Sequence, residues 1–452
     1  MSQIREQRSE VRDQPPARQS DYSGGARSAS GFVEPTARRE VSSALPRRRS
    51  PRRPKAGQPS TECNVALLTG GGDKPYALGM TSALTSQGIF LDFIGSDDLN
   101  VPELLNNPLV NFLNLRGDQR PEVSLARKIA RVATYYWRLI RYAATAKPKI
   151  FHILWNNKFE LFDRALLMLY YKFFGKKIVL TAHNVNIGKR DSKDTLINRF
   201  SLRIQYRLSD HIFVHTKGMK NELVADFDIP EERVSVIPFG INNTSPATAL
   251  STVEAKRQLR ISQGDKTLLF FGNIAPYKGL EYLIAAFAEL LKQDRNYRLV
   301  IAGRPKGSES YWKQLHQSIL RNGLHDRVIE RIEYVPDEET ELYFKAADVL
   351  VVPYTRIFQS GVLFLGYAFG LPAIAADVGS LRNDIVEAKT GFLCRSKDPA
   401  DLAKTIRTYF ASDLYQNLET RRSGIREFAN DRNSWTRVGE ILDRVYRRVL
   451  AK

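Results

Sequence analysis

The chain has 452 residues, 43% of them hydrophobic and 26% charged, an ordinary globular composition that excludes a collagen, a wholly disordered chain and a disulfide scaffold. Its length predicts two or three domains, and its two cysteines exclude a cysteine-based zinc site. The formal charge of +19 favours an anionic partner, which is a nucleic acid, a membrane surface or a phosphorylated substrate.

The first 61 residues are rich in Arg, Ser, Pro and Gln and contain the basic run PRRRSPRRPK (46–55). So few apolar side chains cannot offset the entropy cost of ordering, and we expect a disordered basic tail. The run either contacts phospholipid headgroups or RNA, or is a solvated tail without a specific partner. The polar start MSQIREQRSE predicts no secretory signal, and no apolar run is long enough to predict a membrane span. We therefore expect a cytoplasmic protein.

Residues 62–245 are predicted to form the first of two doubly wound α/β domains. The apolar run NVALLT (64–69) predicts a buried parallel strand, which a glycine loop and a helix over 75–88 follow. Further strands are predicted at 90–96, 150–155, 177–183, 211–216 and 233–242, with helices at 162–175 and 217–226. Such alternation is typical of a parallel sheet with helices on both faces.

The same alternation restarts over residues 246–430, which predicts a second Rossmann-like domain facing the first across a cleft. The predicted strands are 267–273, 298–303, 328–335, 349–354, 372–377 and 391–394, and the predicted helices are 280–293, 311–322, 337–348, 361–369 and the segment from 400 onward. For the last helical segment, 431–452, a return to the N-terminal domain is one option. Ligands of this architecture bind between the domains, at the carboxyl ends of the strands.

A lysine lies among glycines where the first strand of the second domain meets its helix, in the loop GNIAPYKG (272–279). Free N–H groups at a helix N-terminus and the ammonium of Lys278, with Asn273 in the same loop, suit a pyrophosphate. The spacing is not that of a Walker loop. The alternative is an ordinary turn with a surface lysine, and in both cases we expect an exposed side chain that contributes little to the core.

A second helix N-terminus of the same domain follows the strand predicted at 349–354. Gln359, Ser360, Gly361 and Val362 open this helix. Two helix N-termini at the carboxyl ends of strands provide what a diphosphate-linked ligand needs.

Two features of the first domain are predicted to face the same cleft. His183 ends the strand KIVLTAH and is able to donate a hydrogen bond to a ligand, the alternative being a half-buried histidine whose bonds are satisfied within the protein. Gly70, Gly71 and Gly72 let the backbone approach a ligand closely, although flexible turns have the same composition. The other histidines show no metal-site spacing, and an acidic pair at 97–98 is better explained as a solvated loop or helix cap, so no metal is expected.

The segments LTAH, IPFGIN, FGNIAPYKGLEYLIAAF, LVIAG, AADVLVVPY and QSGVLFLGYAFGLPAIAADVGSLRNDIVE, in this order, resemble the group 1 (family 4) nucleotide-sugar glycosyltransferases of GT-B fold. The resemblance extends from residue 64 to the C-terminus and is densest over 234–393. It implies transfer of a sugar from a nucleoside-diphosphate sugar, with retention of anomeric configuration and with neither metal nor other cofactor. The donor is expected on the second domain, and a saccharide or lipid-linked acceptor of polysaccharide or glycolipid biosynthesis on the first.

The resemblance also assigns roles to residues. Lys278 matches the lysine that holds the donor diphosphate, and His183 matches the histidine that contacts the transferred sugar. Segment 359–362 matches the loop whose backbone amides bind phosphate, and the glycines at 70–72 match the loop near the diphosphate and the acceptor. Gln359 is expected to make polar contacts with the sugar.

Two positions depart from the family pattern. The usual arginine five residues before the lysine is Asn273, and the usual two glutamates fall at Ile357 and Leu365. We favour a divergent active enzyme with a Gln-Ser-Gly-Val loop. The alternative is a catalytically silent GT-B module that acts as a binding or scaffolding protein.

Two first-domain segments carry basic and aromatic residues together. SLARKIARVATYYWRLIRYAATAKPK (124–149) and the run LLMLYYKFF within 162–177 suit an interfacial helix on anionic lipid. The alternative is an amphipathic helix that covers the sheet. Since the resemblance favours lipid, we expect peripheral association with the inner face of the membrane. A nucleic-acid partner is not expected, because no aromatic-interleaved basic motif of RRM type occurs.

Overall fold

Two parallel α/β sheets make up the part of the chain that the computed structural model describes, residues 63–120, 123–157, 159–190, 194–241 and 248–452. The predicted tail (1–61) and the predicted domain boundary at 245/246 lie outside the described residues. All described residues belong to one compact unit that spans Pro59–Lys452. The predicted fold class, two doubly wound Rossmann-like domains, is confirmed.

The strands of the two sheets run parallel throughout. Those of the first sheet are β1 (Asn64–Leu68), β2 (Phe90–Gly95), β3 (Val110–Asn114), β4 (Ile150–Ile153), β5 (Lys177–Thr181), β6 (His211–Val214) and β7 (Val234–Val236), in the order β3-β2-β1-β4-β5-β6-β7. Those of the second sheet are β8 (Lys266–Phe271), β9 (Tyr297–Ala302), β10 (Val328–Arg331), β11 (Val349–Val352), β12 (Ala373–Ala376) and β13 (Gly391–Cys394), in the order β10-β9-β8-β11-β12-β13.

Helices cover both faces of each sheet. Those that follow first-domain strands are α1 (Lys74–Thr85), α2 (Pro102–Leu105), α3 (Leu125–Thr145), α4 (Met168–Phe173), α5 (Ile187–Arg190), α6 (Leu196–Leu208) and α7 (Lys217–Phe227), with a π-helix, Phe162–Leu167, leading into α4. The remaining helices are α8 (Thr252–Gln258), α9 (Leu280–Gln293), α10 (Glu309–Arg321), α11 (Asp337–Ala346), α12 (Gly361–Ala368), α13 (Leu381–Asp384), α14 (Pro399–Phe410), α15 (Asp413–Gln416), α16 (Leu418–Arg432) and α17 (Trp435–Leu450). Among the described residues, no helix has both the length and the apolar character needed to cross a membrane.

Strand β1 shows why the central strands read as continuous apolar runs. Ala66 and Leu68 pack into the core on one face of the first sheet, and Val65 and Leu67 pack into the core on the other. A parallel strand that is covered on both faces has no solvent-facing side, so its sequence shows no polar alternation.

The strand order reverses direction between β1 and β4 in the first sheet and between β8 and β11 in the second. At such a point, the loops that leave the two neighbouring strands turn to opposite sides and open a crevice at their carboxyl ends. The loops after β1, β4, β8 and β11 are therefore where a ligand site is expected.

The C-terminal helix α17 follows α16 of the second domain and packs against α1 of the first. Trp435 at its start donates its indole N–H to the carbonyl of Ile241, at 2.9 Å. Near its end, the Tyr446 hydroxyl lies 2.6 Å from Nδ1 of the buried His152. The helix therefore ties the end of the chain to the first domain.

Several elements differ from the sequence predictions, and the helices α6 and α8 were not predicted. Strand β3 was not predicted, because its sequence VNFLN alternates with asparagines and offers no apolar run. Strand β7 ends at Val236, whereas residues up to 242 were predicted as strand. The helix predicted to begin at 162 starts as a π-helix, a form that is rare outside functional or strained sites.

Candidate active site

The glycine loop after β1 is packed tightly against the loop after β4. Gly70 and Gly71 have φ values of +58° and +77°, a region that favours glycine. A Cβ at Gly70 would overlap the carbonyl of Trp155, and one at Gly72 would overlap its indole ring. Gly70 is therefore required by close backbone packing, Gly71 by its positive φ, and Gly72 by the Trp155 ring.

His183 follows β5 and lies flat on the indole of Trp155, with ring centroids 4.5 Å apart. Its Nδ1 is 3.1 Å from Nε2 of His215, which follows β6. Its Nε2 is buried and has no hydrogen-bond partner among the described residues. Burial, followed by the neighbouring His215 and His152, lowers the pKa of His183 well below its ordinary value, against a small opposing effect of the Leu154 backbone. The imidazole is thus neutral near pH 7.

The ring of Tyr76, in the first turn of α1, lies at the centre of an aromatic cluster. Five rings contact it with centroids 4.7–5.7 Å away, those of Trp155, His183, His215, Phe239 and Trp435. Helix α1 is held in place by Asp73, whose carboxylate accepts a hydrogen bond from the N–H of Tyr76 at 2.8 Å. The cluster joins the loops after β4, β5 and β6 to the C-terminal helix.

Phe239 carries this cluster to the second domain. Its ring is 5.0 Å from that of His215 and stacks on Phe364 of α12 at 5.7 Å. A Cβ at Gly361 would lie 3.6 Å from the Phe239 ring. The rings of His215 and Phe239 therefore connect His183 to the first turn of α12.

Lys278 ends a 3-10 turn, Pro276–Lys278, that lies between β8 and α9. Its side chain is only 6% exposed, so the prediction of an exposed loop lysine is wrong. Its Nζ lies 5.4 Å from the ring centroid of Tyr354 and 3.0 Å from the Cβ position that a side chain at Gly272 would occupy. Lys278 is followed by Gly279, whose φ of +66° favours glycine and which packs against the carbonyl of Pro353.

The first turn of α12 meets Lys278 at Gly272. Cγ2 of Val362 lies 3.3 Å from the same Cβ position above Gly272. Ser360 caps the helix, since its Oγ accepts a hydrogen bond from the N–H of Leu363 at 3.3 Å. The first N–H groups of an α-helix have no partner within the helix, so Gly361 and Val362 present donors beside the ammonium.

The side chain of Gln359 is oriented by a buried carboxylate that the sequence analysis missed. Its amide Nε2 donates to Asp384 at 3.1 Å, and Ser380 donates to the same oxygen at 2.6 Å. Burial raises the pKa of Asp384, and hydrogen bonding and Arg432 partly oppose that shift. The contact fixes the loop that precedes α12.

Asn273, in contrast, is exposed and lines a cavity of about 690 Å³ beside the Lys278 turn. Three cationic side chains, Lys306, Arg356 and Lys397, border this cavity. Asn273 thus faces this cavity, whereas the neighbouring Gly272 lies where Lys278 and α12 meet.

The arrangement combines a buried ammonium and helix N–H donors on one domain with a neutral histidine on the other. Among the described residues, no group of three or more His, Cys, Asp or Glu side chains is placed as a metal site would require. Of the residues that complete the site, Trp155, His215 and Phe239 follow different strands. Only the strand order brings them together.

Two family models match the chain. Residues 70–244 match Glycosyltransferase Family 4, and residues 251–426 match Glycosyl transferases group 1. Together the two matches span most of the chain and support a group 1 glycosyltransferase.

Similar proteins were found by sequence and by structure. A curated relative from Corynebacterium efficiens, named D-inositol 3-phosphate glycosyltransferase, is 31% identical over 281 residues, which is 60% of this chain and 65% of that protein. The match thus spans just under two thirds of the relative's length. Sucrose-phosphate synthase from Thermosynechococcus elongatus aligns with a TM-score of 0.67 at 19% identity, covering 86% of this chain and 99% of that one. Anabaena HepE in complex with UDP and glucose aligns with a TM-score of 0.65 at 17% identity, covering 85% and 99%. These structures establish the GT-B fold.

Proposed function

We propose that the protein is a glycosyltransferase that moves a sugar from a nucleoside-diphosphate sugar to a saccharide or lipid-linked acceptor, in polysaccharide or glycolipid biosynthesis. Transfer proceeds with retention of configuration and needs neither metal nor other cofactor. The observation that carries the proposal is the meeting of Lys278 and the first turn of α12 at Gly272. The neutral His183 lies two aromatic rings away on the other domain.

Lys278 and the N–H groups of Gly361 and Val362 stabilise the diphosphate as it leaves. Negative charge develops on the leaving oxygen in the transition state, so fixed positive groups there lower the barrier. Because Lys278 is buried, its charge acts in a medium of lower dielectric constant than water and attracts a diphosphate more strongly. The acceptor attacks on the face that the diphosphate leaves.

His183 binds the transferred sugar through Nε2. Trp155 fixes the plane of the imidazole and His215 occupies Nδ1, so Nε2 is the ring atom left for a ligand. A neutral imidazole forms a hydrogen bond with a sugar hydroxyl without adding a positive charge beside the oxocarbenium-like centre.

The names of similar proteins support a nucleotide-sugar donor. The Corynebacterium relative is named as a glycosyltransferase, and the HepE structure holds UDP and glucose. UDP-sugars are therefore the first donors to test.

The test is transfer of label from radioactive UDP-, GDP-, ADP- and TDP-sugars to membrane extract of the source organism, with Lys278→Met as the blank. A glycosyltransferase gives labelled product with one donor, and the blank removes it. Nucleotide binding without any labelled product, from any donor, would favour the silent module. The silent module is considered because Ile357 and Leu365 stand at the positions of the usual glutamates.

We further propose that the first domain binds an anionic membrane surface from the cytoplasmic side. Thirteen of the eighteen large apolar side chains that are exposed among the described residues lie between residues 125 and 200. Soluble proteins rarely expose so many on one part of the surface without a partner.

Nine of these side chains lie on three neighbouring helical segments on one face of the first sheet, which are α3, the π-helix with α4, and α6. Tyr170 of α4 donates to the Ile140 carbonyl of α3 at 3.2 Å, and Arg164 of the π-helix donates to Ser201 of α6 at 3.0 Å. The outward apolar surface, called here the apolar face, consists of Leu125, Ile129, Trp137, Leu166, Leu169, Phe173, Leu196, Ile197 and Phe200.

The inward side of α3 covers the sheet, as the alternative interpretation of its amphipathic sequence predicts. Tyr135, Tyr136 and Leu139 are buried there, whereas Trp137 is 60% exposed. Arg127, Arg138 and Arg141 are exposed beside the apolar face. Basic residues around exposed Leu, Phe and Trp suit the interface of an anionic bilayer.

A further inference from the structure

Arg116 follows β3, and its side chain lies against the glycine loop. Its Nη2 occupies the space that a side chain at Gly71 would fill. The next glycine, Gly72, contacts Trp155, and Trp155 stacks on His183. Arg116, the glycine loop, Trp155 and His183 therefore form one connected series of contacts within the first domain.

The guanidinium is held in one orientation by neighbours that do not neutralise it. Its Nη1 donates to Oδ1 of Asn157 at 3.3 Å, and its Cζ lies 5.1 Å from the ring centroid of Tyr135. The Tyr135 hydroxyl donates to the same Asn157 oxygen at 2.6 Å. A flat ring and an amide fix the plane of the guanidinium and leave its charge in place.

A buried carboxyl supports this arrangement from behind. Asn157 donates through Nδ2 to Oδ1 of Asp163 at 3.1 Å, and Tyr136 donates to the same atom at 2.9 Å. Burial raises the pKa of Asp163, and the hydrogen bonds of Asn157 and Tyr136, then Arg116, partly oppose that shift. Asp163 lies on the π-helix, so the geometry of this helix positions the carboxyl that holds Asn157.

Within the part of the chain that the structure describes, no carboxylate lies within ion-pair distance of Arg116, and its buried Nε has no hydrogen-bond partner. Its neighbour Arg120, by comparison, pairs with Asp118 at 2.8 Å. A fixed guanidinium with unused donors beside a glycine loop matches the geometry of a phosphate, which accepts two parallel N–H bonds.

We infer that Arg116 binds a phosphate group of the acceptor, so that the natural acceptor is a phosphate-bearing molecule. The inference rests on the proposed function and names the acceptor class for the same cleft. The phosphate belongs either to a soluble phosphorylated saccharide or to a lipid-linked one, and the chemistry at Arg116 is the same.

The test uses the full chain saturated with UDP, which occupies the donor diphosphate site, and titrates inorganic phosphate by calorimetry. The wild type is expected to bind phosphate, and Arg116→Gln to weaken binding at least tenfold. Arg444→Gln, which removes an exposed arginine from α17, is expected to bind as the wild type does. The UDP affinity of each variant reports whether its donor domain is intact.

If the Gln variant fails to fold, Arg116→Lys replaces it in the test, because it keeps the positive charge. The lysine lacks the planar guanidinium with its parallel N–H donors, and phosphate binding is expected to weaken several-fold. Phosphate binding that is equal in the wild type and both Arg116 variants, or absent from the wild type, overturns the inference. Failure of UDP, GDP, ADP and TDP alike to bind is a separate result, which overturns the proposed function instead.

Two phosphate esters then identify the source of the phosphate. Glycerol 3-phosphate represents a soluble acceptor, and monomeric dihexanoyl phosphatidic acid represents a lipid. The ester with the higher Arg116-dependent affinity marks the source, and either order supports the site. Affinities for both esters that do not change in Arg116→Gln overturn it.

Discussion

The imidazole of His183 and the indole of Trp155 lie nearly parallel, with an interplanar angle of 7°. Trp155 itself is seated on the glycine loop, where a side chain at position 72 would occupy the place of its ring. The glycine loop therefore positions the histidine through the tryptophan. Loop and histidine form one unit, although 110 residues of sequence separate them.

Gly72→Ala tests this unit. The added Cβ is expected to displace Trp155 and to misplace His183, and transfer should fall at least tenfold because small errors of placement are costly in catalysis. UDP affinity should stay within about twofold, since the second domain is untouched. Turnover and calorimetric UDP binding measure the two effects. Gly424→Ala, where an added Cβ meets open space, is the control.

His183→Ala should depress sugar transfer and leave binding of free UDP largely intact, because the histidine lies on the first domain, away from Lys278. Since burial and neighbouring histidines lower the pKa of His183, the wild-type rate should show no titration near the ordinary histidine pKa of about 6.5. Rate–pH profiles and UDP titrations provide the measurements. An equal loss of transfer and of UDP binding would assign His183 a structural role.

Lys278→Met keeps an apolar stem of similar length and removes the charge. Turnover should fall by on the order of a hundredfold, as loss of one fixed charge at a leaving group does. Lys278→Ala should also lower the free energy of unfolding, by about 1–3 kcal/mol, because the stem is buried against Tyr354. Denaturant unfolding of both variants separates the two effects. Wild-type kinetics in the Lys278→Met variant would show that this turn is not part of the donor site.

Stability should depend on pH through the buried His152. Burial and, secondarily, His211 lower its pKa to about 3, while its ring bonds to Tyr446 and Thr181. The unfolded chain, with an ordinary histidine pKa, takes up the proton first. The neutral His152 therefore contributes its full share to the free energy of unfolding above pH 6.5. This contribution is lost as the pH falls from 6.5 towards 3, at about 1.4 kcal/mol per pH unit.

His152→Gln removes this contribution. Between pH 6 and pH 5, its free energy of unfolding should fall less steeply than that of the wild type, as measured by urea unfolding at each pH. His325→Gln, at an exposed position, is the control. Parallel curves for the wild type and His152→Gln would show that the buried imidazole does not control acid stability.

The apolar face should bind anionic vesicles. Phe173→Ser with Phe200→Ser should weaken binding at all salt concentrations, and Arg127, Arg138 and Arg141 changed to Gln should weaken it mainly at low salt, where charges are least screened. Arg131 is left unchanged, because it donates to the backbone carbonyl of Asp118 at 2.6 Å. Co-sedimentation with vesicles provides the measurement.

Leu320→Ser, on α10 of the second domain, is the matched control for the apolar substitutions, since Leu320 is also exposed. It should leave vesicle binding unchanged. If the wild type does not bind anionic vesicles at low salt, the acceptor is soluble and the apolar face has another partner.

Much of the fold could be predicted from the sequence, because buried parallel strands such as β1, β5 and β8 are apolar runs bounded by turns. Strand β3 could not, because it alternates polar and apolar residues, and Arg116 was missed with it. The burial of Lys278 depends on its contact with Tyr354, 76 residues away in sequence. The meeting of Trp155, His215 and Phe239 depends on strand order, which local sequence does not encode.

Nucleotide binding measures whether the meeting point of Lys278 and α12 holds a diphosphate. UDP, GDP, ADP and TDP are titrated by calorimetry into the wild type, Lys278→Met and the neighbouring control Lys306→Met. At least one nucleotide is expected to bind the wild type and the control alike, and Lys278→Met is expected to bind it at least tenfold more weakly. If no nucleotide binds the wild type, or if Lys278→Met binds as tightly as the control, the meeting point of Lys278 and α12 is not a diphosphate site.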